Sequence, residues 1–174
     1  DGNLALEQQR VIVIPAHDEL VARKLRVAAY ARVSSSSEDQ LNSYRVQNQY
    51  YSELISGNPD WEMVDIYADE GITGTSLKKR TEFKKMITAC KRGHIDLIIT
   101  KSLSRFARNT LDTISYTREL RSLGIAVIFE EQNINSIYPE SEFLIALHAA
   151  FAQSESESIS ANVTWGKRRA MESG

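Results

Sequence analysis

Two short segments combine residue types that phosphate chemistry uses. In Tyr30-Ala31-Arg32-Val33-Ser34 a guanidinium and a hydroxyl stand two residues apart at the end of an apolar run. If that run is a strand, alternation puts Arg32 and Ser34 on one side and Val33 on the other, so the pair can address one phosphate. In Lys101-Ser102-Leu103-Ser104-Arg105-Phe106-Ala107-Arg108 two more arginines stand three apart and would share a face if the segment forms a helical turn. Phosphoryl transfer asks a protein mainly for positioning and charge neutralisation, and planar guanidinium groups donating paired hydrogen bonds supply both without a metal. A serine near Arg32, Arg105 and Arg108 is therefore a coherent site. Each spacing taken alone also fits a plainer role: a serine ending a strand is commonly a turn or cap residue, and the run of four serines from Ser34 reads as a flexible loop.

The elements that must position these groups alternate along the chain. Residues 25–33 read as a strand, and residues 39–55 as an amphipathic helix carrying Leu41, Tyr44, Tyr51 and Ile55, with Gly57 as its stop. Residues 62–67 are strand-like, and residues 69–79 form a polar loop holding Gly71 and Gly74. Phe83, Met86, Ile87 and Cys90 then mark one helix face before Gly93. Residues 95–100 are the most apolar strand candidate, suited to a sheet centre. Asn109 and Asp112 form a cap pair for a helix ending near Gly124, and residues 125–129 are another strand. Steady alternation of this kind predicts an α/β domain with helices packed on a largely parallel sheet, whose strand ends are the usual place for a ligand.

Beyond Asn135 the pattern changes. Pro139, Glu140 and Glu142 look like a first helical turn, and neither glycine nor proline interrupts the chain until Gly166. Roughly 27 helical residues would reach about 40 Å, more than a compact domain covers, so part of the helix must pack elsewhere. Leu144, Leu147 and Phe151 give it an apolar stripe, and Ala149, Ala150, Ala152 and the serines at 154, 156, 158 and 160 allow close contact with a second helix. A subunit interface follows, with a solvent-side helix as the alternative. Residues 1–24 contain one strand-like run, residues 11–14, and otherwise read as an extension or linker. The expected division is 1–24, a body of 25–136, and a helical arm of 137–174.

Composition narrows the class of protein. At 174 residues with 42% hydrophobic content the chain can close one buried core, and 25% charged residues with three prolines argue against disorder. The single cysteine, Cys90, can build neither an intrachain disulfide nor a thiolate zinc cluster, which suits a reducing, cytoplasmic setting. Net charge is −2, yet from Lys78 to Arg108 ten basic residues face only Glu82 and Asp96, while residues 130–160 hold six glutamates and no lysine or arginine. Such asymmetry suggests one face for a polyanion and another for a different partner, or else two solvated faces of opposite sign. Asp65, Asp69, Glu70 and Asp96 near strand ends could suggest a Mg²⁺ site, although isolated acids there are more often solvated or capping. His17, His94 and His148 lack metal-ligand spacing, and no Gly-rich phosphate loop is present, so neither a metal nor a nucleotide cofactor is expected. The residues alone leave two other classes open. One is a receiver-type signalling domain with Asp69 as phosphoacceptor and Lys101 as its partner; the other is a non-catalytic DNA-bound dimerisation module.

Taken in order, five blocks resemble those of the resolvase and invertase catalytic domain, the serine recombinases. They are Tyr30 to Ser34; Gln40-Leu41-Asn42-Ser43-Tyr44 with Gln47; Tyr67-Ala68-Asp69-Glu70-Gly71-Ile72-Thr73-Gly74-Thr75-Ser76 with Arg80; Ser104-Arg105-Phe106-Ala107-Arg108-Asn109; and Ala152-Gln153-Ser154-Glu155-Ser156. Asn42-Ser43-Tyr44 and the trailing Asn162-Val163-Thr164-Trp165-Gly166 are most similar to the large serine recombinases of conjugative transposons and phages. The resemblance implies a three-layer resolvase-like α/β domain with a long C-terminal helix. It implies a cofactor-free enzyme in which Ser34 attacks a phosphodiester of double-stranded DNA, forming a 5′-phosphoserine link and releasing a 3′ hydroxyl. Arg32, Arg105, Arg108 and Arg80 would serve the scissile phosphate; Gln47, Asp69, Ser104 and Glu155 would line or support the site; Lys101, Lys167, Arg168 and Arg169 would contact DNA. It also implies a dimer that becomes a tetramer in synapsis, acting in the cytoplasm of a bacterium. Two positions depart from the pattern: Ser104 stands where many members carry an aspartate, and Glu157 where some carry a basic residue.

Overall fold

The computed structural model describes residues 23–33, 37–70 and 80–172. In chain order the elements are β1 (Leu25–Val33), α1 (Ser37–Ser56), β2 (Trp61–Glu70), α2 (Thr81–Lys91), β3 (Leu97–Thr100), α3 (Leu103–Phe106), α4 (Thr110–Ser122), β4 (Ala126–Phe129), β5 (Ile134–Asn135) and α5 (Ser141–Glu172). One sheet contains all five strands in the order β2-β1-β3-β4-β5, parallel except for β5. The expected strand of residues 11–14 and the loop holding Gly71 and Gly74 lie outside the described residues.

Period-two alternation along β1 divides the core into two layers. Ala28 and Tyr30 point to Phe83 and Met86 of α2, Phe106 of α3 and Leu120 of α4, whereas Val27, Ala29 and Ala31 point to Tyr51 and Ile55 of α1. β3 is the central strand, and all four of its residues are buried, as its unbroken apolar sequence predicts. The three-layer α/β arrangement is thus the observed one. On α2 the 3.6-residue period buries Phe83, Met86, Ile87 and Cys90, each large apolar side chain contributing about 1.5–3 kcal/mol; the same burial pushes the Cys90 thiol up to about 12.

Both α2 and α4 end in the same way. Gly93 and Gly124 adopt φ of 75° and 76°, and the next N–H, of His94 or Ile125, reaches back five residues to Ala89 O or Leu120 O. Only a left-handed residue closes a helix like this, so these glycines launch β3 and β4. At the start of α4, Asn109 Oδ1 accepts from the Asp112 N–H at 2.8 Å, which is the expected cap. At the N-terminal edge of the sheet Asp96 accepts from the backbone N–H, Nε and Nη2 of Arg26 and from Arg23, fixing β1 beside β3. Hydrogen bonding from Arg26, followed by the charges of Arg26 and Arg23, holds its carboxyl below the usual carboxylate range against the opposing effect of burial.

Three boundaries differ from those read in the sequence. β2 continues through Asp69 and Glu70, because after a register shift at Val27/Ala28 β1 pairs with it residue by residue from Ala28↔Asp65 to Val33↔Glu70, so Asp69 belongs to a strand and not to a loop. β5 is a two-residue antiparallel addition, too short to leave a periodic signature; it is extended by Ser136, whose Oγ accepts from Val127 N at 2.7 Å. α5 passes through Gly166 instead of stopping there, since one glycine costs a helix only about 1 kcal/mol relative to alanine.

Two carboxylates fasten the helices that flank the sheet. Glu130, directly after β4, accepts from Tyr50 OH at 2.6 Å and from Tyr51 OH at 3.2 Å, and so pins α1 over the C-terminal strand ends. Glu142 in the first turn of α5 accepts two hydrogen bonds from Arg118 and one from Arg121 of α4, while Ile145 inserts into the core. The Leu144, Leu147 and Phe151 stripe does not dock on this body: all three are exposed, as is every described side chain of α5 from Ala150 onward. Among the described residues no helix is long and apolar enough to cross a membrane.

Glu130→Ala strands the hydroxyl of Tyr51, a residue only 2% exposed, and is expected to lower stability by about 1–3 kcal/mol, with Tyr50→Phe costing less. Thermal melts of the two variants check this, and equal, negligible shifts would contradict the latch. Hydrogen bonds from Arg118 and then Arg121 hold the Glu142 carboxyl down to about 2 from an ordinary 4.5. A depressed carboxylate stabilises above its unfolded pKa and stops doing so as pH falls through the folded one. The start of α5 is therefore expected to loosen from α4 between about pH 4.5 and 2, read as faster amide exchange at residues 141–146, and Glu142→Gln should reproduce that exchange at neutral pH.

Candidate active site

The strand order places the site. β1 connects through α1 on one face to β2 on its outer side, and β2 connects through α2 on the other face to β3 on its opposite side. The chain thus changes direction between β1 and β3, and a crevice opens at their C-terminal ends, where α/β sheets bind ligands. Arg32 and Val33 end one strand there, and Lys101 to Arg105 follow the other. Ser34, the expected nucleophile, lies one residue past β1 and outside the described residues.

The last turn of β1 is held by its own backbone. Arg32 O accepts from Gln47 Nε2 of α1 at 2.9 Å and from Arg105 Nη1 of α3 at 3.1 Å. Gln47 also donates to Ser43 Oγ at 3.2 Å. A pocket of about 620 Å³ lies alongside, lined by Ser43, Gln47, Tyr50, Lys101, Arg105 and Glu130 among others. Gln47 and Arg105 are therefore both bonded to the backbone of Arg32.

Asp69 and Arg80 stand behind this crevice as a linked pair. Asp69 accepts from the N–H groups of Glu82 and Phe83 at 3.0 and 2.9 Å and from Tyr30 OH at 3.0 Å. It caps α2 from a neighbouring strand, a role that Arg80, in the cap position itself, does not fill. Arg80 Nε donates to Tyr30 OH at 3.3 Å, and its Nη2 donates to Phe106 O and, at 3.5 Å, to Arg105 O. Its guanidinium lies 3.7 Å over the Phe83 ring, within an edge-to-face cluster of Tyr30, Phe83, Phe106 and Tyr116. Burial, opposed by Arg80, pushes the Tyr30 hydroxyl up to about 12, so it remains a donor to Asp69 at neutral pH. With both Asp69 oxygens accepting hydrogen bonds, and Lys101 directed 3.8 Å from Glu131, a phosphoacceptor role for Asp69 finds no support in the geometry.

Arg108 does not share a helical face with Arg105. α3 ends at Phe106, and Ala107 is extended at φ −143°, ψ 161°, so the chain has left the helix before Arg108. Arg108 is exposed and lines a second groove of about 550 Å³ between α3, α4 and α5, together with Ser104 and Glu155. Ser104 Oγ lies 3.1 Å from Ser102 Oγ. Of the expected DNA-contact residues, Lys101 is exposed beside Glu131, whereas Arg168 and Arg169 are exposed far along α5, with Arg169 stacked 4.5 Å over Trp165. The Lys167 side chain lies outside the description. Among the described residues no cluster of three histidine, cysteine or acidic side chains is placed to hold a metal ion.

Two residues that sequence reasoning missed follow β4. Glu130 secures α1, and Gln132 Oε1 accepts from the Leu103 N–H at 3.1 Å, capping α3. Their only signal was position, immediately beyond a strand predicted to end near the crevice.

Comparison with known proteins agrees with this fold. The profile of the family described as "Resolvase, N terminal domain" matches residues 27–174. The chain is 24% identical over 147 residues to the transposon Tn3 resolvase of Escherichia coli, covering 84% of this chain and 72% of that protein. It is 26% identical over 152 residues to a putative DNA recombinase of Bacillus subtilis, of which it spans only 29%. The crystal structure of a resolvase family site-specific recombinase from Streptococcus pneumoniae superposes with a TM-score of 0.58 at 29% identity, covering 86% of this chain and 99% of that one. With the fold, the crevice and the match over nearly all of the described residues in agreement, the chain belongs to the resolvase family of serine site-specific recombinases and carries its catalytic domain.

Proposed function

We propose that the chain cuts and rejoins double-stranded DNA through Ser34. The observation that carries this reading is the bond from Arg105 to the carbonyl of Arg32, which brings a cation from the segment after β3 to within two residues of Ser34. The Ser34 oxygen attacks the phosphorus, the P–O3′ bond breaks, and the serine proton is balanced by protonation of the departing 3′ oxygen. The product is a 5′-phosphoserine whose ester bond retains the energy for rejoining, so the exchange needs no external energy source. Arg32 and Arg105, with Arg108 approaching from the adjoining groove, neutralise the charge that develops on the phosphoryl oxygens. Arg80 and Asp69 hold α3 and α2 behind them, and Gln47 fixes the end of β1.

Residues 25–136 form the catalytic body in this reading, residues 137–174 an arm, and residues 1–24 an extension. The exposed Phe143, Leu147, Phe151 and Ile159 of α5 pack on a second copy, two such dimers meet when sites synapse, and the exposed Arg168 and Arg169 run towards the duplex. The protein works in the cytoplasm, where its DNA is.

Incubation with nicked duplex substrates should give a denaturation-resistant protein–DNA adduct, with the phosphate mapped to Ser34 by mass spectrometry. Ser34→Ala should abolish the adduct and leave the melting temperature unchanged, whereas Arg105→Ala should slow its formation by about 10²-fold or more. An undiminished adduct in Ser34→Ala, or one mapped to another residue, refutes the assignment. Salt-sensitive DNA binding with no adduct in the unmutated chain would instead identify a non-catalytic dimerisation module.

A further inference from the structure

The basic excess between Lys78 and Arg108 is only partly absorbed by the site. Arg80 and Arg105 sit at the crevice, and Lys91 is paired with Glu119 at 2.7 Å. Lys101 lies beside Glu131 and Arg108 lines the second groove, so the other described cations of this stretch are Lys84, Lys85 and Arg92, on or just after α2 and away from its buried Phe83, Met86 and Cys90. Lys84, Thr88 and Arg92 follow one another at four-residue spacing along that face, and with Thr81, Lys85 and His94 they line an open groove of about 440 Å³. Glu82, the one acid on α2, is bonded to Lys85 at 2.6 Å. Neither Lys84 nor Arg92 pairs with a carboxylate among the described residues, although Arg23, Arg26, Arg118 and Arg121 elsewhere each do.

A helix face that carries a stripe of cations without carboxylate partners offers an anionic ligand charges to neutralise. Lys84 and Arg92 are about 12 Å apart along the helix, a distance over which duplex DNA presents several phosphates of one strand. Contacts of such cations to phosphate oxygens position a duplex without reading its sequence. The stripe begins one turn from Arg80, at the crevice end of α2, and leads to His94 at the opposite end of the sheet.

We infer that the outer face of α2, through Lys84 and Arg92 with His94 at its end, is a second DNA-backbone contact that holds duplex away from the bond being cut. It rests on the reading that DNA is the substrate, and it adds a surface that takes no part in the chemistry. Lysine and arginine differ in length and geometry but each can neutralise one phosphate, so the affinity of this face follows counterion release.

The test measures binding of the whole chain to a fluorescent random-sequence duplex across a salt series, beside the Lys84→Gln/Arg92→Gln double variant. The variant should bind about tenfold more weakly at low salt, with a slope of log affinity against log salt shallower by about 2. At saturating protein it should still form adduct on a short nicked substrate at the unmutated rate. An unchanged slope overturns the inference; if the variant then shows weakened self-association in sedimentation, the stripe is a contact for an acidic protein surface instead. The two proposals fail separately: a chain that forms no adduct but loses salt slope on substitution keeps the α2 contact and loses the Ser34 chemistry.

Discussion

One relay of hydrogen bonds at the C-terminal edge of the sheet holds the candidate site in register. It runs from the Asp69 carboxylate on β2 to the Tyr30 hydroxyl on β1, on to Arg80 before α2, and from Arg80 to the carbonyls of Arg105 and Phe106 on α3. The same carboxylate satisfies two N–H groups at the start of α2 that the helix itself leaves without partners. Four elements thus share three side chains, two of them charged, in a partly buried setting where each bond polarises the next. Neither charge is a surface ion free to wander: Arg80 is flattened on Phe83, and Asp69 receives three donors. Loss of either would leave buried polar groups unpaired, a larger penalty than the worth of the bond itself. The position of Arg105 therefore depends on residues 25 and 36 positions away in the chain.

Under the proposed reaction, the same arrangement orders the crevice before a phosphate arrives. Arg105 spends one N–H on a neutral carbonyl, that of Arg32, and keeps the remaining donors of its fork. A phosphate oxygen makes a charge-assisted bond about twice as strong as a neutral one, so substrate can recruit the guanidinium without rebuilding the loop. The backbone of β1 is held meanwhile from the other side by Gln47, and α1 is held in turn by Glu130. Pinning from two faces limits the drift of the strand end, and positional error is what phosphoryl transfer tolerates least.

Much of this fold was legible from residue periodicity. β1, the apolar face of α2, the central β3, and the stops at Gly93 and Gly124 all follow from contacts within a few residues or from burial on both faces of a sheet. Of the candidate site the sequence offered a set of residue types, of which Gln47 and Arg105 meet at the carbonyl of Arg32. What the sequence hid was how they are joined. Asp69 read as a loop residue because the polar stretch after it masks a strand that pairing with β1 prolongs. Arg105 and Arg108 are three apart, yet one extended residue, Ala107, sends them to different grooves. Glu130 and Gln132 brace α1 and α3 across long sequence separations, and no local pattern reports such pairings.

α5 raises a different physical problem. Helices in proteins owe most of their stability to packing of an apolar face, yet after Ile145 this one offers its described side chains almost entirely to water. Phe143, Leu147, Phe151, Ile159 and Val163 exceed what a lone solvated helix needs, and the Glu142 clasp with Arg118 and Arg121 secures only its first turn. Secured at its base and uncovered beyond it, the helix projects from the body as a lever. Beyond that turn Glu155 and Glu157 face the groove of Arg108 or open solvent, while Lys84 and Arg92 line the groove on α2. The net charge of −2 is therefore a sum over unlike surfaces: an arm whose apolar residues lie exposed, and a body that carries cations without a carboxylate partner among the described residues.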